Sequence, residues 1–209
     1  MILLVWLIPA FAPATAGAAP AGAPVITVLG DSLSAGYGLA RNEAFPAQLQ
    51  QALTAEGLAA EIRNAGVSGD TAEDGLARLD WAVAGDVRAV ILALGANDAL
   101  RGHAPARMKK ALEQILARLK ARNIAVLLAG MKSPRNMGPE YIAAYDRVFP
   151  ELALKYDAIL LPFYLEGVAA RPELNLSDGL HPNPQGVARM VQNALPYVKK
   201  LINRIGRRN

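Results

Sequence analysis

The chain has 209 residues, a formal net charge of +4 and no cysteine. The missing cysteines exclude disulfides, thiolate nucleophiles and cysteine-based zinc sites, and the small charge gives no footing for nucleic acid. Beyond the first twenty or so residues the length suits one domain, large enough to bury roughly 70% of its unfolded surface.

The first segment reads as a secretory leader. Residues 2–8 are apolar, Pro9 and Pro13 follow, and the small-residue stretch 14–19 offers A-x-A cleavage after Ala16 or Ala18. A signal peptide over 1–18 and export to a periplasmic or extracellular location are therefore expected, although no Lys or Arg precedes Arg41. A membrane anchor would need about 20 uninterrupted apolar residues, and the two prolines break this run early.

From residue 24 to 209 the pattern is that of a single domain in which short apolar runs alternate with longer amphipathic segments. Strands are expected at 25–29, 58–63, 89–94, 124–129 and 158–161, and helices at 44–56, 71–84, 105–122, 139–156 and 184–205. In the third of these helices Met108, Leu112, Ile115, Leu116 and Leu119 recur at helical spacing, while Lys109, Lys110, Glu113 and Lys120 take the other face. Strands that are apolar throughout and separated by helices imply a parallel sheet covered on both faces, hence an α/β fold with right-handed crossovers. Lys199, Lys200, Arg204, Arg207 and Arg208 gather near the end of the last helix, where cations complement the helix dipole on a solvated face.

In such a sheet ligands bind beyond the carboxyl ends of the strands, at the switch point in strand order. Three polar clusters fall at that edge. Ser32 stands in Gly30-Asp31-Ser32-Leu33-Ser34 after the first strand, Gly69 in the 64–70 segment after the second, and Asn97 in Gly95-Ala96-Asn97-Asp98 after the third. A serine on a strand-to-helix turn becomes a nucleophile when a base takes its proton and backbone donors await the oxyanion. Gly69 offers a donor with no Cβ in the way, and Asn97 a side-chain amide.

Only His103 and His181 can serve as a histidine base. His181 is placed on a loop by Pro182, ahead of an N-cap at Asn183 and a first helical position at Pro184. Asp178, three residues earlier, is within reach of the second ring nitrogen and would fix the tautomer. His103 has no acid at comparable spacing and is read as a loop residue near the cleft. Asp31 and Asp70 read as capping or loop-ordering residues, and Asp98 as the second choice for the acid.

The ordered blocks GDSLS, NAGVSGDT, LGAND and DGLHP span almost the whole domain and resemble those of the SGNH, or GDSL, hydrolases, in particular the bacterial arylesterase, acyl-CoA thioesterase I and lysophospholipase group. The resemblance implies a flavodoxin-like three-layer α/β/α sandwich around a five-stranded parallel sheet. It also implies Ser32 as nucleophile, Asp178 and His181 as its acid and base, and an oxyanion hole from the Ser32 amide, Gly69 and Asn97. No metal or cofactor is implied. The 131–141 segment is similar to the family's loop beside the acyl pocket, whereas His103 matches no family motif.

The expected function is a metal-independent serine esterase acting on small-molecule esters or thioesters through an acyl-enzyme, as a monomer with at most transient lipid contact. A carbohydrate O-deacetylase using the same site is the alternative, since the fold hosts that chemistry too. An α/β-hydrolase is disfavoured because Ser34 replaces the last glycine of G-x-S-x-G and the acid and base lie three residues apart. A nucleotide-binding protein would need a phosphate loop, yet no G-x-x-x-x-G-K-[ST] occurs and Gly36-Tyr37-Gly38 lacks the third glycine of a dinucleotide fingerprint. A binding module without catalysis would have little reason to keep every one of these groups.

Overall fold

A computed structural model describes residues 22–207. The leader expected over 1–18, and Arg208, lie outside the described residues.

In chain order the first half comprises β1 (Val25–Gly30), α1 (Ser32–Ala35), α2 (Phe45–Ala55), β2 (Glu61–Gly66), α3 (Ala72–Ala77), α4 (Leu79–Ala82), β3 (Val87–Ala93) and α5 (Ala96–Leu100). The second half adds α6 (Pro105–Ala121), β4 (Ala125–Ala129), α7 (Pro139–Asp146), α8 (Val148–Tyr156), β5 (Ile159–Leu161) and α9 (Pro184–Gly206). All five strands pair in parallel, in the order β2-β1-β3-β4-β5. This is the flavodoxin-like order, and its direction reverses between β1 and β3.

Burial explains which runs became strands. β1 and β4 are buried at every position, and β3 at every position but Arg88. Helices cover both faces, α2 packing with α9 on one side and α6 with α3 and α8 on the other. The α6 stripe is the one its spacing calls for: Met108, Leu112, Ile115, Leu116 and Leu119 are all buried. Each such leucine or isoleucine contributes about 1.5–3 kcal/mol relative to exposure. Among the described residues no helix is long and apolar enough to cross a membrane.

Three sequence expectations are corrected. The second strand starts at Glu61 rather than residue 58, and its Glu61, Arg63 and Asn64 show that it is a sheet edge, not a strand apolar throughout. The helix expected over 71–84 is divided at Arg78, whose backbone (φ −102°, ψ 7°) leaves helical geometry. The helix expected over 139–156 is divided at Arg147. Pro150 has no N–H to donate to the carbonyl of Asp146, so the ladder is interrupted one turn before it.

At the carboxyl edge, α1 lies unusually close to the sheet. A Cβ on Gly66 would stand 2.3 Å from the Ala35 backbone nitrogen, and one on Gly30 would stand 2.2 Å from Ser34 Oγ of α1 and 2.9 Å from the carbonyl oxygen of Ala93. Backbone atoms stand in the way at both positions, so neither strand end accommodates a side chain. Gly66→Ala should cost about 1–3 kcal/mol, the usual penalty of overpacking, and should lower turnover by displacing α1. Wild-type stability in a urea melt would contradict this close approach.

Candidate active site

Ser32 is the first residue of α1, and Asp31 caps that single turn by accepting from the Leu33 N–H at 3.0 Å. The Ser34 and Ala35 amides bond back to the Asp31 carbonyl, which holds the turn tightly against the end of β1. The nucleophile candidate therefore sits on a rigid corner.

Its partner arrives from 149 residues away. His181 Nε2 lies 2.9 Å from Ser32 Oγ, and His181 Nδ1 lies 2.7 Å from Asp178 Oδ2. The other Asp178 oxygen accepts from the backbone N–H groups of His181 (3.0 Å) and Leu180 (2.9 Å). Those two backbone bonds, followed by the bond to the imidazole, hold the Asp178 carboxyl down at about 2. It is an anion throughout the neutral range. Asn183, two residues past His181, caps α9 by accepting from the Gly186 N–H at 3.0 Å, so the loop ends on a fixed helix terminus.

Asn97 stands in the first turn of α5 and donates from Nδ2 to the Asp70 carbonyl at 3.0 Å, with a longer 3.4 Å contact to Asp31 Oδ2. Gly69 has a φ of +90°, which a side chain would strain, and its carbonyl accepts from Arg101 Nη2 at 2.7 Å. The loops after β2 and β3 are thereby bonded to each other at two consecutive residues. Ser32, Asn97 and His181 all face a cleft of about 640 Å³. Gly69 is not among its lining residues but is held beside Asn97 through its neighbour Asp70.

The cleft is mostly apolar. Leu100, Met131, Pro134, Phe163, Leu165 and Leu180 form much of its wall, with Lys132, Arg135 and Glu166 among its charged residues. The 131–135 part of the segment that resembles the family's acyl-pocket loop does line it. His103, by contrast, does not line this cleft and faces Asp98: its Nδ1 is 3.8 Å from Asp98 Oδ1. His103 has no acid at the three-residue spacing of Asp178 and His181, but α5 brings Asp98, five residues earlier, back onto it. Asp98 itself accepts from the Ala72 N–H at 2.9 Å and belongs to this second pair rather than to His181.

Two residues escaped the sequence reading. Arg78 donates to Asp70 Oδ2 (2.6 Å) and to the carbonyls of Ala65 (2.8 Å) and Gly30 (3.0 Å). Tyr37 places its ring on the imidazole of His181. Nothing in the local sequence marks Arg78, and Tyr37 stands out only by lying between two glycines.

A fold with its ligand cleft at the β1/β3 switch point, and a Ser-His-Asp chain of hydrogen bonds opening onto it, defines a hydrolase of the nucleophilic serine class. The GDSL-like lipase/acylhydrolase family model matches residues 28–189. Esterase TesA of Pseudomonas aeruginosa is 39% identical over 183 residues, which cover 87% of this chain and 91% of that protein. Thioesterase 1/protease 1/lysophospholipase L1 of Escherichia coli K12 is 40% identical over 164 residues, 78% of this chain and 77% of that protein. Among solved structures, AlinE4, an SGNH-hydrolase family esterase, matches with a TM-score of 0.73 at 45% identity and covers 85% of this chain and 96% of its own. The chain belongs to the GDSL-like lipase/acylhydrolase family. It is a serine ester hydrolase with a three-layer α/β/α fold.

Burial places a second carboxyl in the opposite regime from Asp178. Asp31 is 1% exposed, and desolvation pushes its carboxyl up to about 6 despite the bond from the Leu33 amide. Its unfolded value is about 3.9, so between about pH 4 and 6 the folded state keeps a proton that the unfolded state releases. Stability should fall as pH rises through that window, by ~3 kcal/mol in all, and then level off. Denaturant melts of Asp31→Asn should lack this decline; an equally steep decline in the variant would assign it to another group.

Proposed function

We propose that Ser32 is the nucleophile, His181 the general base and then acid, and Asp178 the residue that holds His181 in its reactive tautomer. The observation that carries this reading is the unbroken chain Asp178 Oδ2, His181 Nδ1, His181 Nε2, Ser32 Oγ, with steps of 2.7 and 2.9 Å on either side of the ring. Asp178 accepts the Nδ1 proton, which leaves the Nε2 lone pair aimed at the hydroxyl. As Ser32 Oγ bonds to the substrate carbonyl carbon, its proton passes to Nε2 and the imidazolium is stabilised by the Asp178 anion.

The carbonyl oxygen gathers negative charge in this step. Its donors are the Ser32 and Gly69 backbone amides and Asn97 Nδ2. Asn97 gives one short bond to Asp70; the hydrogen behind its 3.4 Å contact to Asp31 is the one an oxyanion draws. Collapse of the tetrahedral intermediate breaks the ester or thioester bond, and His181 delivers its proton to the leaving oxygen or sulfur. Water then repeats the sequence on the acyl-enzyme and restores Ser32.

The apolar wall of the cleft favours a fatty acyl or aryl acyl group over an acetylated sugar, and the names of the relatives support both oxygen esters and thioesters as substrates. We assign residues 1–18 to a cleaved leader, so that the domain from residue 24 works after export.

Ser32→Ala should abolish hydrolysis of a p-nitrophenyl ester while leaving the unfolding midpoint unchanged; full activity would remove Ser32 from the mechanism. Asn97→Ala should lower kcat by about 10² to 10³, the measured worth of a single oxyanion donor elsewhere. An unaltered rate would make Asn97 a purely structural bond to Asp70.

A further inference from the structure

Tyr37 is 52% exposed, yet its ring is not free: it lies on His181 with centroids 4.5 Å apart and planes inclined by 35°. Two left-handed glycines present it there. Gly36 (φ +84°) and Gly38 (φ +73°) bound the turn, and a Cβ on either would strike a neighbour, Ala44 Cβ at 2.5 Å or Leu176 Cδ1 at 2.7 Å. The turn is tied at both ends to the two loops that must meet. The Tyr37 amide donates to the Ser32 carbonyl at 3.1 Å, and Leu176, which packs over Gly38, donates its own amide to the His181 carbonyl at 2.7 Å.

Asp178 and Ser32 hold the imidazole at two points on its edge, which leaves the ring free to rotate about the line that joins them. A flat side chain against the ring face removes that freedom. The same face carries a second consequence. Neutral imidazole gains little from an aromatic quadrupole, whereas an imidazolium over the π face is attracted to it. The gain is therefore larger in the transition state than in the resting enzyme, which is the condition for raising kcat.

We propose that Tyr37 is a positioning residue that braces His181 from its face and stabilises the imidazolium formed in acylation and again in deacylation. This rests on His181 being the base. The phenolic hydroxyl has no part in it, so phenylalanine should serve and an aliphatic side chain of similar bulk should not.

The test uses steady-state kinetics on a p-nitrophenyl ester. Tyr37→Ala should lower kcat by about 3- to 30-fold, the range that a cation over an aromatic face supplies, with KM held within about twofold. Tyr37→Phe should restore most of the lost kcat, and Tyr37→Leu should stay near the alanine variant. Wild-type kcat in Tyr37→Ala, or Tyr37→Leu performing as well as Tyr37→Phe, would overturn the proposal. His181→Ala measured alongside separates the two layers: if it keeps wild-type kcat, the base is misassigned, whereas if it is inactive and Tyr37→Ala is unimpaired, the brace alone is refuted.

Discussion

The guanidinium of Arg78 is the interaction on which the carboxyl edge of the sheet depends. Arg78 donates to the Gly30 carbonyl at the end of β1, which also accepts the Val67 amide, and to the Ala65 carbonyl near the end of β2, and it bonds Asp70 as well. With side-chain exposures of 16% and 12%, the Arg78 and Asp70 pair is shielded enough to be rigid, and its bonds to neutral carbonyls satisfy donors that the ion pair leaves over. Asp70 in turn offers its carbonyl to Asn97. One side chain thus connects the strand that leads into Ser32 with the loop that carries Gly69 and with the helix that carries Asn97.

That arrangement explains how a site can be assembled from four distant segments. Each candidate group stands two to four residues from a fixed structural terminus: Ser32 two after β1, Asn97 four after β3, His181 three before α9. Strand register then sets their separation, because Gly30 pairs with Gly66 on one side and Ala93 on the other. The long-range bonds of Arg78 and of Asp98 to the Ala72 amide, with the local bond of Leu176 to the His181 carbonyl, trim what register leaves free. Preorganisation of this kind is what makes a hydrogen-bond donor effective toward an oxyanion, since no reorientation is required during the reaction.

Much of this was legible in the chain. The five strands and the amphipathic face of α6 follow from local periodicity, and the blocks around Ser32, Gly69, Asn97 and His181 are short enough to read directly. What escaped was non-local. The split at Arg78 could not be seen because leucine, alanine and arginine there are all good helix formers; the turn breaks because the guanidinium is needed elsewhere. Pro150 was visible, but its effect falls four residues earlier at Asp146. The edge position of β2 depends on which strand order the fold adopts. Tyr37 looked like part of a failed glycine fingerprint, since nothing in residues 36–38 announces a histidine 144 positions downstream.

The two histidines show why spacing alone is an incomplete guide to chemistry. Each faces an aspartate of its own local sequence, His181 three residues after Asp178 and His103 five after Asp98. The environments differ in sign. Asp178 is partly open to solvent and receives three hydrogen bonds, so it stays ionised and can support an imidazolium. Asp98 is sealed from solvent, receives the Ala72 amide on one oxygen, and has its other oxygen buried without a hydrogen-bond partner. Burial raises its carboxyl above the ordinary range, and the 3.8 Å gap to His103 is too long to offset that cost. Such a carboxyl gains more from fixing α5 against α3 than from polarising a base. The His103 carbonyl accepts from the Tyr141 hydroxyl at 2.8 Å, where the His181 carbonyl accepts from the Leu176 amide. One pair is therefore built around a charge and the other around a backbone contact, and only the first is aligned with a hydroxyl.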